Sequence, residues 1–393
     1  MRSRWTMLAV LFVARAAIAF QFQSVAAIAP QLSQSLGASL ADLGVLIGLY
    51  FAPGALLALP GGAIGRRYGD KVVVVAGLLM MLAGELLMTA STSWSVQIAG
   101  RLTAGIGGVL LNVLMTKMVA DWFAGREIAT AMAIFINSWP AGIAVALMLL
   151  PAIGATLGLH AVNLAVAGMI LIGLGFIALI YRAPEAAVAV EGEPSGLTAD
   201  TICAVIAAGL IWCLYNIGFA MIFSFGPSML VEHGWSGAAA GSTISIVLWL
   251  AALSVPLGGL LADRTRRGEV ILVTGCIAFA LLTLLLSRSG TVLPVVIALG
   301  ILCGLPAGPI MSLPARVLEQ KTRPIGMGIF YTVFYAGMLA GPAIGGKLST
   351  AVGSASAALD FGAAVLLACP AVLWFFRRMV AGHDWQQADV RRA

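Results

Sequence analysis

Apolar runs of roughly twenty residues recur along the whole chain, separated by short polar stretches. Each run has close to the length, about 20 residues, that an α-helix needs to cross the hydrocarbon core of a bilayer. The pattern predicts twelve membrane-spanning helices, at residues 7–29, 41–64, 72–92, 96–119, 128–150, 159–181, 201–224, 239–262, 270–287, 291–313, 325–346 and 357–376. The predicted fold class is therefore an all-α membrane protein.

The composition supports this interpretation, since 61% of the residues are hydrophobic and only 10% are charged. Soluble domains carry about 25% charged residues, so a water-soluble globule is excluded. The first apolar run could alternatively be a cleaved signal peptide, because arginines precede it and "AIA" follows. Arg15 would interrupt the apolar core of such a signal, and cleavage would leave an odd set of helices. We therefore expect a retained first helix.

The distribution of positive charge predicts the topology. All but four of the 22 lysines and arginines lie at the chain ends or in alternate loops; Arg15 and Arg101 lie within predicted helices, and Arg288 and Lys347 lie on the opposite side. The positive-inside rule then places both termini in the cytoplasm, in a bacterial-type inner membrane. Because this distribution explains the net charge of +6, the lipid bilayer is an expected partner and nucleic acid is not.

The sequence offers no support for enzymatic chemistry. The five cysteines and three histidines are dispersed without metal-ligand spacing, and neither a phosphate-binding Gly-Lys-Ser/Thr loop nor a nucleophile elbow occurs. We expect no metal, no cofactor and no catalytic residues. An ATP-driven pump and a membrane hydrolase are both disfavoured.

The chain reads as two similar halves. The stretch 182–200 is rich in proline, glycine and acids, as in a flexible linker, and it divides the predicted helices into six at 1–181 and six at 201–393. "PGGAIGRRYGDKVVVVAG" after the second helix is echoed by "PLGGLLADRTRRGEVILVTG" after the eighth, and "AIFINSWPAG" in the fifth by "GIFYTVFYAG" in the eleventh. Internal duplication of this kind is typical of secondary transporters.

With these repeats, the chain resembles the major facilitator superfamily along nearly all of its length. The family's loop after the second helix reads roughly G-x-x-x-D-R-x-G-R-K. The matching residues are Gly62, Arg67, Gly69 and Lys71 in the first half and Gly259, Asp263, Arg264 and Arg267 in the second. The sequence departs from the pattern at Arg66, which replaces the acid, at Asp70, where a base is usual, and at Arg266, which replaces a glycine.

The resemblance implies a gating role for these loops. In the family, they lock the two halves together on the cytoplasmic side through charges and helix ends. The implied gating residues are Gly62, Arg67, Gly69, Asp70, Asp263, Arg264 and Arg267. Because Arg66 replaces the acid in the first copy, Asp263 is the stronger candidate for the lock.

Three further stretches resemble elements of the same superfamily. "RLTAG", starting at Arg101, is similar to an R-x-x-x-G element, and residues 328–346 are similar to a motif usually found in the fifth helix of proton-coupled antiporters. In this chain that motif falls in the eleventh helix, so it indicates a flexible, closely packed interface helix. "KMVADWFAGREIATAMAI" resembles the cyanate-permease and nitrate-porter branch, but the arginines of nitrate porters in helices two and eight are absent.

Arg15 is the principal candidate for substrate binding. It lies about ten residues into the first helix, which at 1.5 Å per residue is ~15 Å, close to the bilayer centre. A charge at this depth costs a few kcal/mol and is usually functional or firmly paired. The alternatives are snorkelling to water or pairing with a helix carboxylate, of which Glu85 is the main candidate. We expect Arg15 to face a wet cavity and bind an anion.

Other candidates are polar or aromatic residues at similar depth. Arg101, Gly105, Gly108 and Asn112 form a stripe at helical spacing that either packs against another helix or faces the cavity. The remaining substrate-binding candidates are Asn137, Trp212, Asn216, Tyr331 and Tyr335. The tyrosines alternatively pack between helices. Pro140 frees a backbone carbonyl near Asn137 and can kink the helix.

Two acids, Glu85 and Asp360, are predicted to be buried and are the candidates for proton coupling. Both lie on outer helices, where a structural hydrogen bond is the alternative role. The sequence leaves symport against antiport open.

These patterns predict a monomeric secondary transporter of a small organic or inorganic anion, working by alternating access, with protons as an optional coupling partner. A proton-driven exporter of neutral or cationic compounds is the first alternative, and the two helix arginines weigh against it. A membrane receptor or scaffold without flux is the second, and the linker and duplicated loops weigh against that.

Overall fold

The structure, a computed structural model, describes residues 4–58, 60–123, 127–184, 197–288, 290–318 and 322–390, and these residues contain no β-strand. Twelve helices cross the membrane within them, which confirms the predicted fold class. They are α1 Arg4–Ala27, α2 Leu40–Leu57, α3 Asp70–Ala90, α4 Trp94–Trp122, α5 128–157, α6 159–180, α7 Ala199–Glu232, α8 Gly237–Thr265, α9 Gly268–Arg288, α10 Val292–Arg316, α11 Arg323–Val352 and α12 Ser356–Val390. Short helices at Ala29–Leu36 and Gly61–Tyr68 connect them. Positions 185–196 of the predicted linker lie outside the described residues.

The separation of α5 from α6 depends on one glycine. Ile134–Ile180 is a continuous apolar stretch of 47 residues, which as one straight helix would measure about 70 Å, more than twice the bilayer core. Gly158 interrupts it with φ 80° and ψ 174°, a conformation that glycine adopts readily. Gly142 packs on Ala16 of α1, whereas Gly173 packs on Ala14. The chain therefore turns back at Gly158 and crosses twice.

Several helices begin at hydroxyl side chains that satisfy free backbone N–H groups. At the start of α2, the Ser39 hydroxyl accepts from the N–H of Asp42 at 3.2 Å, and the Asp42 carboxylate accepts from the N–H of Ser39 at 2.8 Å. Thr198 and Ser236 similarly cap α7 and α8. Such caps fix the helix starts at polar residues that flank the apolar runs.

The helices α1–α6 and α7–α12 meet through α2 against α11 and α5 against α8. Gly44 and Gly346 pack directly on the backbones of Pro342 and Leu40, and Gly241 packs on the backbone of Leu147. Small residues allow this close approach of two helices. All these contacts lie on the side of the membrane opposite to the chain termini, which we call the distal side; the other is the terminal side.

The burial pattern of α1 and α7 shows that the molecule is closed on the distal side. Every residue of α1 in 16–27 and of α7 in 220–230 is buried. Nearer the termini both helices have an exposed face, which includes Ala9 of α1 and Ile206 of α7. Among the described residues, each hydrogen bond or ion pair between the level of Arg15 and the terminal side stays within one set of six helices. The structure is thus open on the terminal side.

The two sets of helices carry equivalent ion pairs. Lys117 at the end of α4 pairs with Asp70 at the start of α3, and Arg316 at the end of α10 pairs with Glu269 at the start of α9. The partners are 47 residues apart in both pairs. The duplicated loops therefore have a duplicated electrostatic contact.

Candidate functional site

Arg15 extends from α1 toward α4 and α5, about 16 Å along α1 from its start, near the middle of the membrane. Its Nε donates to Oδ1 of Asn112 at 3.0 Å. Its Nη1 donates to the carbonyls of Phe135 and Ile136, each at 3.0 Å, and to the Ser138 hydroxyl at 3.3 Å. The guanidinium is therefore held in position by groups from two helices.

A break in α5 creates this set of acceptors. The α-helix stops at Ile136 and resumes at Ser138. Pro140 has no N–H to donate to the Ile136 carbonyl, as the fourth residue along would in a regular helix. Arg15 supplies the missing donor. The carbonyl that Pro140 was expected to free is thus an acceptor of the arginine.

The positive charge of Arg15 is not neutralised by a carboxylate. Its acceptors are all uncharged, and no acid forms a salt bridge with it within the part of the chain that the structure describes. Its Nη2 has no hydrogen-bond acceptor among the described residues. Arg15 is partly exposed, so a charged donor remains available to a ligand.

Asn112 connects Arg15 to the other set of six helices. Its Oδ1 accepts from Arg15, and its Nδ2 donates to the hydroxyl of Tyr335 on α11 at 3.1 Å. The chain of Arg15, Asn112 and Tyr335 therefore crosses the central interface at the level where the two sets of helices part.

Aromatic rings form a closed circuit across the same interface. Neighbouring ring centroids in it are 4.8 to 6.4 Å apart, the spacing of favourable aromatic pairs. In order, the members are Phe22, Phe51, Phe334, Trp212, Tyr215, Phe219 and Phe223. Trp139 joins the circuit through Phe22 and Phe51.

Five aromatic side chains in this region are partly exposed, and we call them the aromatic wall. They are Trp139, Trp212, Phe219, Tyr331 and Phe334. They come from α5, α7 and α11, and Trp139 also lies 5.8 Å from the Arg15 guanidinium. The positive group and the aromatic surface are therefore adjacent.

The structure gives the amide candidates different surroundings. Asn216 donates to the carbonyl of Trp212 at 2.7 Å, within α7, and is partly exposed beside the wall. Asn137 occupies the break in α5, next to the carbonyls that bind Arg15. The Nε1 of Trp212 is buried without a hydrogen-bond partner.

Arg101 is placed away from the exposed surface. It is fully buried, and its Nε, Nη1 and Nη2 donate to the carbonyls of Leu46, Gln21 and Phe22 at 3.0 to 3.1 Å. The Tyr50 ring lies 4.8 Å from the guanidinium. All three nitrogens are satisfied by backbone, so in this structure Arg101 joins α1 and α2 to α4.

The two acids have different environments. Glu85 is buried, and its carboxylate accepts from Nε2 of Gln21 at 3.0 Å. The expectation that Asp360 is buried is wrong, because its side chain is 40% exposed and binds Arg288 at 2.7 and 3.1 Å. Arg288 lies 72 residues away in sequence, on the helix against which α12 packs.

Comparison with known families identifies the class of protein. The family model of the Major Facilitator Superfamily matches residues 11–212 and again residues 208–390. The chain belongs to this superfamily. It is a multi-pass secondary transporter of a small-molecule substrate and not an enzyme. The finer resemblance to the cyanate-permease and nitrate-porter branch is not confirmed.

Similar proteins include two transporters of Escherichia coli K12. The inner membrane transport protein YajR is 25% identical over 326 residues, which cover 80% of this chain and 70% of that protein. The 3-(3-hydroxy-phenyl)propionate transporter is 25% identical over 322 residues, which cover 77% of each chain. A solved bacterial homologue of the human lysosomal transporter Spinster, inward-facing and unoccupied, superposes with a TM-score of 0.72 at 15% identity over 96% of each chain. This likeness shows the fold alone.

The gating residues implied for this superfamily member lie on the terminal side. Gly62 and Arg67 lie on the short helix Gly61–Tyr68, and Arg67 is exposed over the Tyr68 ring. Gly69, with φ 86°, ends that helix, and Asp70 starts α3. Asp70 pairs with Lys117 inside the first half, so in this open state it does not bridge the halves.

In the second half, Asp263 and Arg264 lie in the last turn of α8, and Arg267 lies in the connection to α9. None of the three forms an ion pair with any described residue. The acid that is paired there is Glu269, which binds Arg316 at 2.6 Å and Arg377 at 3.3 Å. Glu269 was not among the residues predicted from the sequence, because it follows the loop motif. Its equal spacing with the first-half pair is the signal that identifies it.

Proposed function

We propose that this transporter carries a small anion by alternating access, with Arg15 as the anchor of the negative group. The observation that carries the proposal is the partly exposed guanidinium at mid-membrane depth, with neutral acceptors and a free Nη2 among the described residues. The relative named for 3-(3-hydroxy-phenyl)propionate, a carboxylate, supports an anionic substrate.

The contrast between Arg15 and Arg101 supports this role. Arg101 is buried and uses all three nitrogens on backbone carbonyls, as expected of an arginine that serves packing. Arg15 keeps one nitrogen and its whole charge available. An arginine in a membrane protein is costly unless its charge is offset, and a bound carboxylate would supply the opposite charge and accept from the remaining Nη2.

The open terminal side supports alternating access. We place the termini in the cytoplasm because the lysines and arginines concentrate on that side, so that this state receives or releases substrate there. The contact from Asn112 to Tyr335 spans the two halves beside Arg15. Anion binding at Arg15 would then act on the interface that has to rearrange.

Proton coupling belongs to the proposal through Glu85. Its carboxylate is buried and bonds to Gln21, whose backbone carbonyl accepts from Arg101. A change in the protonation of Glu85 would alter its hydrogen bond to Gln21 and, through Gln21, the packing of α1. An exporter of cations would instead need an acid beside the site, and Glu85 is fully buried away from Arg15's acceptors.

Substitution of Arg15 tests the proposal. We expect Arg15→Gln to abolish anion-induced thermal stabilisation of the purified protein by small carboxylates, nitrate and cyanate, since a ligand of the folded form raises its melting temperature. Arg288→Gln, which removes an exposed arginine of α9, is the matched control. Unchanged stabilisation in Arg15→Gln, with binding present in the unaltered protein, would refute the anchor.

A further inference from the structure

We infer that the anion bound by Arg15 is an aromatic carboxylate, whose ring lies against the aromatic wall. This inference rests on the proposed function, since it assigns the remainder of the molecule that Arg15 anchors. It makes the substrate class narrower than small anions in general.

The anion site and the aromatic wall share a side chain. The Trp139 ring lies 5.8 Å from the Arg15 guanidinium and 6.3 Å from the Phe51 ring. Phe51 in turn lies 6.1 Å from Phe334, which lies 6.3 Å from Trp212. A carboxylate on Arg15 would therefore place a group attached to it directly beside partly exposed aromatic rings.

The aromatic wall is built by side chains from both halves. Trp139 belongs to α5, whereas Trp212 and Phe219 belong to α7 and Phe334 to α11. A flat ring between them would contact both sets of helices at once. Such a ligand would interact with the moving interface through its ring as well as through its charge.

Small inorganic anions and aliphatic acids fit these surroundings less well. Nitrate or cyanate would lose hydration beside a largely apolar aromatic surface and has no apolar group of its own to bury against it. A saturated ring would bury as much apolar area but would lack the edge-to-face and offset-stacked contacts that aromatic pairs make. The wall therefore predicts a preference for aromatic over saturated rings of equal size.

Four probes test this preference by calorimetry on the purified full-length protein: 3-phenylpropionate, 3-cyclohexylpropionate, 3-phenylpropanamide and propionate. We expect 3-phenylpropionate to bind roughly three- to tenfold more tightly than its cyclohexyl analogue, the range that an aromatic contact supplies. The amide, which lacks the charge, and propionate, which lacks the ring, should both bind more weakly than either ring acid.

Variants then assign the preference to the wall. Phe334→Leu should remove the preference for phenyl over cyclohexyl while both acids still bind, and Phe219→Leu is the second variant if Phe334→Leu fails to fold. Trp249→Leu, at a 42% exposed position on α8, is the control that should keep the preference. A preference that survives both wall variants would overturn the assignment.

The outcomes separate the two proposals. Equal affinity for the phenyl and cyclohexyl acids, or tighter binding of propionate, overturns the aromatic class and leaves the anion anchor intact. Binding of the amide as tight as that of 3-phenylpropionate overturns the anchor. Absence of binding by every acid to folded protein overturns both.

Discussion

Nη1 of Arg15 donates to the carbonyl of Ile136 at 3.0 Å, the carbonyl that Pro140 leaves without a helical donor. Pro140 and Arg15 are far apart in sequence, yet the break at the proline and the position of the arginine depend on each other. The break in α5 would leave a bare carbonyl without Arg15, and Arg15 would lose its main acceptors without the break. One charged side chain thus both supplies a donor to the break in α5 and keeps its charge available to a ligand.

Pro140→Ala should weaken anion binding by disturbing Arg15. The new N–H can bond to the Ile136 carbonyl and release Nη1 from it. A net hydrogen bond contributes about 0.5–1.5 kcal/mol, so we expect a two- to tenfold loss of affinity. Calorimetry with a bound carboxylate measures this, and Pro151→Ala, elsewhere in the same helix, is the control. Unchanged affinity would show that Arg15 does not depend on the break.

Removing either end of the bridge between the halves should slow transport more than it weakens binding. Asn112→Ala and Tyr335→Phe each break the same contact, Nδ2 to the phenol at 3.1 Å. In a double-mutant cycle of transport rates, the two changes should therefore be non-additive. Additive effects would mean that Asn112 and Tyr335 act separately.

Arg101→Gln should destabilise the protein far more than Arg15→Gln. It removes the charged donor from three buried carbonyls, of which only that of Gln21 has a further side-chain donor, the Ser24 hydroxyl at 2.8 Å. A buried group left unsatisfied costs about 1–3 kcal/mol. Thermal unfolding in detergent should show a large fall in melting temperature for Arg101→Gln and a small one for Arg15→Gln. Similar falls in both variants would contradict a packing role for Arg101.

Charge exchange tests the equivalent ion pairs at the terminal side. Asp70→Lys should lower the transport rate, and adding Lys117→Asp should restore part of it. Each pair is partly exposed, so its stability contribution is about 0.2–1 kcal/mol and falls with salt. The same exchange at Glu269 and Arg316 should be rescued less well, because Glu269 also binds Arg377. Equal rescue at both sites would contradict a role for the third partner.

Glu85→Gln should abolish the effect of a pH gradient on transport if Glu85 carries the coupling proton. The amide keeps the size of the side chain and a hydrogen bond to Gln21, so folding should be retained. Proteoliposome uptake with and without a gradient measures the effect. Asp360→Asn, which alters the other candidate acid, is the control. A gradient response that persists in Glu85→Gln would exclude this residue as the proton carrier.

Helix number and order could be predicted because hydropathy alone decides them. Helix ends could not: α7 continues to Glu232, beyond the predicted end at 224, because its last turns are buried among other helices and not in lipid. The depth of Arg15 followed from its distance along one helix. Its partners at Phe135 and Ile136 did not, since they depend on how two helices meet.

The roles of Arg101 and Asp360 show the same limit. A stripe of small and polar residues is compatible with packing or with a cavity, and the choice depends on Tyr50, against which Gly105 and Gly108 pack. Asp360 was expected to be buried because its neighbours in sequence are apolar. Its ion-pair partner, Arg288, is distant in the chain and could not be inferred from that pattern. The aromatic circuit could not be foreseen either, because its members come from four helices.

The interface between α2 and α11 has a consequence for the speed of the transport cycle. At Gly44 and Gly346 no side chain separates the two backbones. A small separation of α2 from α11 would therefore break these contacts. The α2–α11 interface is therefore either closed or fully separated, since packed interfaces of this kind tend to have two discrete states. The turnover number would then be set largely by glycines that do not contact the substrate.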